Sequence, residues 1–220
     1  EDSPSNVFAT LNPLLPNAET FSNGNTTYTN GSGANWRISG TTLAPTSGKY
    51  YCEIKITENG GATQVGLMDM NNLPSSLATD IGSGNWNWSY YSVSGNKRHD
   101  DISTSYGDSF TTGDIIGIAM DLDNLKLYFS KNGVWQNSGV PTSGATGTGS
   151  AFDLDSGASY AFAIASNDTG TNPVQDFNFG NGYFGTTAVA SAGTNASGNG
   201  IFEYNVPAGF TALSTKGLNL

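Results

Sequence analysis

The sequence predicts an all-β fold, a sandwich of two antiparallel sheets. Three observations lead there. Several segments alternate apolar and polar residues with period two, as strands with one buried face do. Between them fall Gly60-Gly61, Gly95-Asn96 and Asn132-Gly133, residues that tolerate the positive φ of tight turns. Charged residues make up only 12% and hydrophobic ones 36%. The surface is therefore mostly Ser, Thr, Asn and Gly, whereas amphipathic helices need far more Lys, Glu, Leu and Ala.

Taken in chain order, the elements read as follows. Ser22–Asn35 is poor in large apolar residues and predicts a surface loop. In "KYYCEIKIT", Tyr50, Cys52, Ile54 and Ile56 share one strand face, and Tyr51, Glu53, Lys55 and Thr57 the other. Asn71–Thr79 is the best helical candidate, and Pro74 limits it to a turn or two. "NWNWSYY" (Asn85–Tyr91) sets Trp86, Trp88 and Tyr90 on one face and Tyr91 on the other. "GNKRHDD" then reads as a solvated hairpin end. In "DIIGIAMD", Ile116, Ile118 and Met120 oppose Ile115, Gly117 and Ala119, so both faces are apolar and one is small. A central strand between two layers needs that, with Gly117 and Ala119 letting the other sheet approach closely. "LKLYFS" returns Leu125, Leu127 and Phe129 into the core after a tight turn at Asp121, Asp123 and Asn124. Ser138–Ser150 and Thr186–Gly200 predict further surface loops, separated by the strands "YAFAIAS" and "QDFNFG". In Ile201–Leu220, the side chains of Ile201, Phe202, Tyr204, Val206, Phe210 and Leu213 are too apolar for a free tail and should pack on the sandwich or on a neighbouring subunit.

Composition also excludes classes of function. A net charge of −10 with eight scattered basic residues argues against nucleic acid as a partner. Cys52 is the only cysteine, which rules out an internal disulfide and zinc sites built on several thiolates. No apolar run approaches the length of a membrane-spanning helix, and membrane insertion is not expected. The first residues, which do not begin with Met, carry neither the basic nor the apolar region of a signal peptide.

One ordered set of motifs is more specific. "GKYYCEIKI", "VGLM", "SYYSVSGNKRH", "YGDSFTTGDIIGIAMDLDNLKLYFSKNG", "YAFAIAS" and "FNFG" follow one another as in a SPRY domain, which this chain resembles from about Ser47 to Gly180. Gly107–Gly133 is the most specific part. The resemblance implies a bent antiparallel β-sandwich, a concanavalin A-like or SPRY jelly roll, with a C-terminal extension. It makes residues 1–220 one domain, with a core of about 47–180 and flanking strands and loops in 1–46 and 181–220. Cys52 departs from the family, many of whose members have Trp there. The flanks Ser5–Leu14 and Val206–Leu220 resemble the edges of SPRY-like modules in tailed-phage structural proteins.

No constellation reads as catalytic or metal-binding. The "DLDN" run lacks the terminal Glu of an EF-hand loop and reads as a turn. The five Glu are residues 1, 19, 53, 58 and 203, and no strand offers two on one face for glycoside hydrolysis. His99 is the sole histidine. The expectation is a non-enzymatic module without cofactor. The flanks imply a virion location, as a capsid decoration, tail fibre or surface appendage. Its partners would be other virion proteins, a second copy, or a host surface glycan or protein. The alternatives are a peptide-binding adaptor, extracellular or cytoplasmic, and a carbohydrate-binding module. The expected binding residues are Trp86, Trp88, Tyr90 and Tyr91 with Lys97, Arg98 and His99, since related domains bind partners on loops at one end of the sandwich. The aromatic strand forms a binding platform if exposed and plain core if buried.

Overall fold

The computed structural model describes residues 3, 5–15, 19–31, 33 and 35–219. Among these residues the strands run in the order β1 (Thr20–Ser22), β2 (Thr27–Thr29), β3 (Trp36–Gly40), β4 (Lys49–Glu58), β5 (Ala62–Asp69), β6 (Asn87–Tyr91), β7 (Asn96–His99), β8 (Ile102–Ser105), β9 (Ile115–Asp121), β10 (Lys126–Lys131), β11 (Val134–Trp135), β12 (Phe152–Asp153), β13 (Tyr160–Asn167), β14 (Val174–Asn178), β15 (Tyr183–Phe184), β16 (Thr187–Ala188) and β17 (Thr211–Ala212). The large sheet is ordered β1-β2-β14-β4-β9-β10-β11, with β12 beside β10 and β17 beside β4; the small sheet is β3-β13-β5-β6-β7-β8. Both are antiparallel except at β17, which pairs parallel with Tyr50 and Tyr51.

The core lies between the sheets. Ile54, Ile116, Ile118, Met120, Leu127 and Phe129 of the large sheet meet Val65, Leu67, Trp88, Tyr90, Phe162 and Ile164 of the small one, all buried. The period-two reading holds for these strands because their backbones are regular. Leu125 is an exception: with φ of 57° it belongs to the turn before β10. At the next hairpin, Asn132 and Gly133 have φ of 49° and 80°, the two left-handed residues that such a two-residue turn demands.

Both outer faces are also covered, which period two alone does not reveal. On the small sheet, Ala161, Ala163 and Ala165 alternate with the inward Phe162 and Ile164, yet they too are buried. Leu77, Ile81 and Trp86 pack over them together with Ile38 and Met68. The segment Asn71–Thr79 forms no helix. Pro74 prevents one, and the extended chain instead lays Leu77 on the sheet, its carbonyl accepting from the Ile38 N–H at 3.0 Å. On the large sheet, Tyr51 and Glu53 have no solvent exposure. The space left by Gly117 is taken by the Tyr51 ring and Ser130 of the neighbouring strands, not by the other sheet.

The cover on that face is the C-terminal segment. Phe202 meets the Tyr51 ring edge-on at 5.0 Å. The Glu53 carboxylate accepts the backbone N–H groups of Glu203 and Tyr204, both at 2.8 Å, with the Tyr51 hydroxyl at 3.1 Å and the Asn178 amide at 3.3 Å. Phe210, Ala212 and Leu213 are buried, while Ile201 is exposed. The tail thus packs on its own sandwich, and Leu220 lies outside the described residues. The N-terminal flank joins it: the Ala9 N–H donates to the Leu213 carbonyl at 2.9 Å. Buried Asn199 accepts from the Asn6 amide and donates to Thr211 Oγ1, both at 2.9 Å.

The three expected loops differ from one another. Ser22–Asn35 contains β2, whose Tyr28 is fully buried with its hydroxyl on the Arg37 carbonyl at 2.8 Å; Ser32 and Ala34 lie outside the described residues. One aromatic in a polar run was too weak a periodic signal to mark a strand. Ser138–Ser150 folds as a 3-10 turn over the buried Tyr128, whose hydroxyl meets Ser143 Oγ at 3.2 Å. Thr186–Gly200 is irregular apart from Thr187–Ala188, which pairs with Tyr183–Phe184.

Two outcomes follow. Each buried Phe or Leu of the tail contributes about 1.5–3 kcal/mol of transfer free energy, so deleting residues 201–220 should lower the melting temperature or cause aggregation. An unchanged melting temperature in a scanning calorimeter would show that the tail is not part of the cooperative unit. Burial pushes the Glu53 carboxyl from the ordinary 4.5 up to about 7, against the opposing pull of the Tyr204 and Glu203 N–H groups. The folded state therefore holds this proton more tightly than the unfolded chain, and stability is lost as pH rises from 4.5 toward 7. The loss amounts to about 3 kcal/mol by linkage. Urea melts of wild type and Glu53→Gln across that window should diverge; parallel curves would refute the assignment.

Candidate binding face

Strands β6 and β7 of the small sheet carry six of the seven residues expected from sequence, and alternation divides them between two faces. Trp88 and Tyr90 point inward and are buried. Trp88 is stacked on His99, with centroids 4.7 Å apart and planes 9° from parallel, and meets Tyr160 edge-on at 5.3 Å. Tyr90 lies among Tyr106, Phe110 and Phe129 at 5.7, 4.9 and 5.4 Å, its hydroxyl donating to the Asp108 carbonyl. These two are core, so the strand is not an exposed aromatic platform. Trp86 does not share their face. It precedes β6, and its ring belongs to the cover over the outer side of the sheet.

Nor is "GNKRHDD" a freely solvated hairpin end. Lys97 and His99 face inward from β7 and close the open edge of the sandwich. Lys97 Nζ donates to the Ala151 carbonyl at 2.5 Å and sits 5.1 Å from the centre of the Phe152 ring. Burial lowers its pKa, and Asp153 partly opposes this. His99 Nδ1 donates to the Asn87 carbonyl at 2.9 Å, which fixes the ring flat on Trp88. In that run only the turn itself, Asp100 and Asp101 at φ of 51° and 60°, is exposed.

Tyr91 and Arg98 are the members left on the outer surface, both half-buried. Arg98 is ion-paired with Asp80 and holds its guanidinium 5.9 Å from the centre of the Tyr91 ring. Trp36 comes from the far side of the sheet and meets Tyr91 at 6.2 Å, inclined by 55°. Between them the intervening strands present Asn167 and Ala62 in one cross-strand row and Ala165 and Gln64 in the next. Gln64 braces the patch, accepting from the Ile81 N–H at 2.7 Å and donating to Asp80 at 3.4 Å. Trp36 and Asp80 were missed from sequence. The strand "WRISG" does alternate Trp36 with Ile38, but its pairing with β13 brings it into range of Tyr91, and no local pattern encodes that.

Chemically, the patch offers two aromatic faces and one oriented cation. That is a surface for stacking and hydrogen bonding, with no nucleophile or acid–base pair. In the "DLDN" turn, Asp121 accepts from Lys49 Nζ at 2.9 Å and the Asn124 N–H at 3.0 Å, and Asp123 accepts from the Gly48 N–H at 2.7 Å. Those carboxylates hold the turn. Among the described residues, no group of three His, Cys, Asp or Glu is placed to hold a metal.

Comparison with known proteins agrees with this architecture. The SPRY domain family model matches residues 49–167. The frog Xenopus laevis has a relative, "ATP-dependent RNA helicase DDX1", 34% identical over 98 residues, covering 44% of this chain and 12% of the helicase. Human "Ran-binding protein 9" and zebrafish (Danio rerio) "Ran-binding protein 10" are each 34% identical over 96 residues, covering 39% of this chain and 12% and 14% of those proteins. The chain thus spans less than a sixth of the length of the relatives it matches.

The division between core and surface has a direct consequence. Trp88→Ala should cost about 3–5 kcal/mol, as large aromatic truncations in cores do. Tyr91→Ala, at the surface, should cost under about 1 kcal/mol. Denaturant melts giving equal losses would mean that Tyr91 is held as core.

Proposed function

The chain belongs to the SPRY domain family, and from that premise we propose that it is a non-catalytic protein-interaction module. It grips a segment of a partner protein on the face made by Trp36, Tyr91 and Arg98. The observation that supports this is the convergence of Trp36 and Tyr91 with an oriented guanidinium on one face of the small sheet. Aromatic rings and Arg dominate the binding energy of protein interfaces, because they bury large areas at little entropic cost. Arg98 is already ordered by Asp80, so little of its freedom is lost on binding. The relatives include proteins named for binding Ran; for this chain the partner is defined by chemistry alone, a peptide with apolar and acceptor groups. The virion placement expected from the flanks gains no support from the relatives above, and the peptide-gripping alternative is the better supported reading.

Selection of a displayed peptide library on the immobilised protein tests this. Enriched peptides should bind, and Trp36→Ala or Tyr91→Ala should weaken them by at least about tenfold, equal to 1.4 kcal/mol. Val134→Ala, at an exposed position in a different sheet, should not. Peptides unaffected by both aromatic variants would place the site elsewhere. Binding of neutral oligosaccharides lost in the same variants would favour a carbohydrate-binding module.

A further inference from the structure

The two edges of the small sheet are unlike. At β3 the outer edge is engaged: the Ile38 N–H donates to the Leu77 carbonyl at 3.0 Å, and the Arg37 carbonyl accepts from the Tyr28 hydroxyl at 2.8 Å. At β8 the chain pairs with β7 on one side, and among the described residues no strand lies on the other. Each of its residues, Ile102, Ser103, Thr104 and Ser105, is exposed. Natural edge strands are usually guarded by Pro, Lys, a bulge or a covering loop. The β8 sequence ISTS has no such residue, and its register with β7 is unbroken from His99↔Ile102 to Asn96↔Ser105. Ile102, 66% exposed, is an apolar side chain left at the overhang.

We propose that β8 is a docking edge that takes an extended, basic segment of a partner protein as an added antiparallel strand. Outward backbone N–H and C=O groups of β8 would supply the ladder, and Ile102 an apolar contact. Charge selects the occupant. Exposed Asp100 and Asp101 sit at one end of β8 and exposed Asp108 just beyond the other. The neighbouring cations are engaged elsewhere: Lys97 is turned to Ala151, Arg98 is paired with Asp80, and Lys131, which reaches the Ser109 carbonyl beside Asp108, is paired with Asp114. The chain as a whole carries −10. Self-pairing is disfavoured by the same charges: two antiparallel β8 strands would set Asp100 and Asp101 of each copy beside Asp108 of the other. A segment with Lys or Arg at its ends and β-branched residues between them satisfies both the ladder and the field. This site is separate from the Trp36–Tyr91–Arg98 face and stands or falls independently of it.

Titration of the 15N-labelled protein with the peptide Lys-Val-Thr-Val-Thr-Val-Lys, read by NMR, tests the proposal. Amide shifts should concentrate on Ile102–Ser105. Replacing both Lys of the peptide by Glu, or Asp100 and Asp101 of the protein by Asn, should weaken binding at least about tenfold, and added salt should weaken it likewise. Asn tolerates the positive φ of that turn, so the double variant is expected to fold. A peptide with alternate N-methylated amides should not bind. The proposal is overturned by no shift at about 1 mM peptide, by equal binding of the N-methylated peptide, or by shifts confined to the Trp36–Tyr91–Arg98 face. A concentration-dependent dimer abolished by Thr104→Pro would make a second copy the occupant and overturn it too.

Discussion

A carboxylate buried in the middle of a sheet face governs how this sandwich is finished. Glu53 lies on the outer side of the central strand β4, where its alternation with Ile54 points it away from the inter-sheet core. Alone there it would be solvated, and covering it would carry a heavy desolvation penalty. The penalty is tolerable because two backbone N–H groups arrive from a segment 150 residues further along, with Tyr51 and Asn178 completing the shell. That contact fixes the path of the C-terminal segment. It places Phe202 on Tyr51, and the chain beyond then pairs with Tyr50 and Tyr51, the part of β4 that β14 leaves unpaired, and meets the N-terminal flank.

The same logic explains where binding chemistry is left. A domain this rich in Tyr, Trp and Phe has aromatic groups to spare, and most serve packing. Trp88 and His99 lie face to face, and Lys97 lies over Phe152, so residues that look functional in a list hold the sheet edge shut. Tyr91 and Arg98 alternate with them and so emerge on the opposite face. One residue of register decides between core and surface here, as the period of two requires.

Few charges and many small polar residues make up this surface. The distinctive groups it presents are ordered rings, one braced guanidinium and the backbone of an edge strand. The unguarded strand β8, with carboxylates near both ends, belongs to the same economy of means.

The inter-sheet core was legible in the sequence. Ile54, Ile116, Ile118, Leu127, Phe129, Phe162 and Ile164 follow a strict two-residue period, and Asn132-Gly133 marks its turn by backbone sterics, both local properties of the chain. The family motifs over residues 49–167 were legible for the same reason. What covers the outer faces was not. Glu53 reads as a solvent residue in its own strand, and Asn71–Thr79 reads as a broken helix. Their environments come from partners far along the chain, brought near only by strand pairing. The candidate face shows both cases: sequence nominated Trp86, Trp88, Tyr90, Tyr91, Lys97, Arg98 and His99 together, whereas tertiary structure leaves Tyr91 and Arg98 on the outer surface, turns Trp88, Tyr90, Lys97 and His99 inward, packs Trp86 into the cover, and brings Trp36 and Asp80 beside the two that remain. Alternation tells which residues share a face of a strand; only the stacking of layers tells which of the two faces meets water.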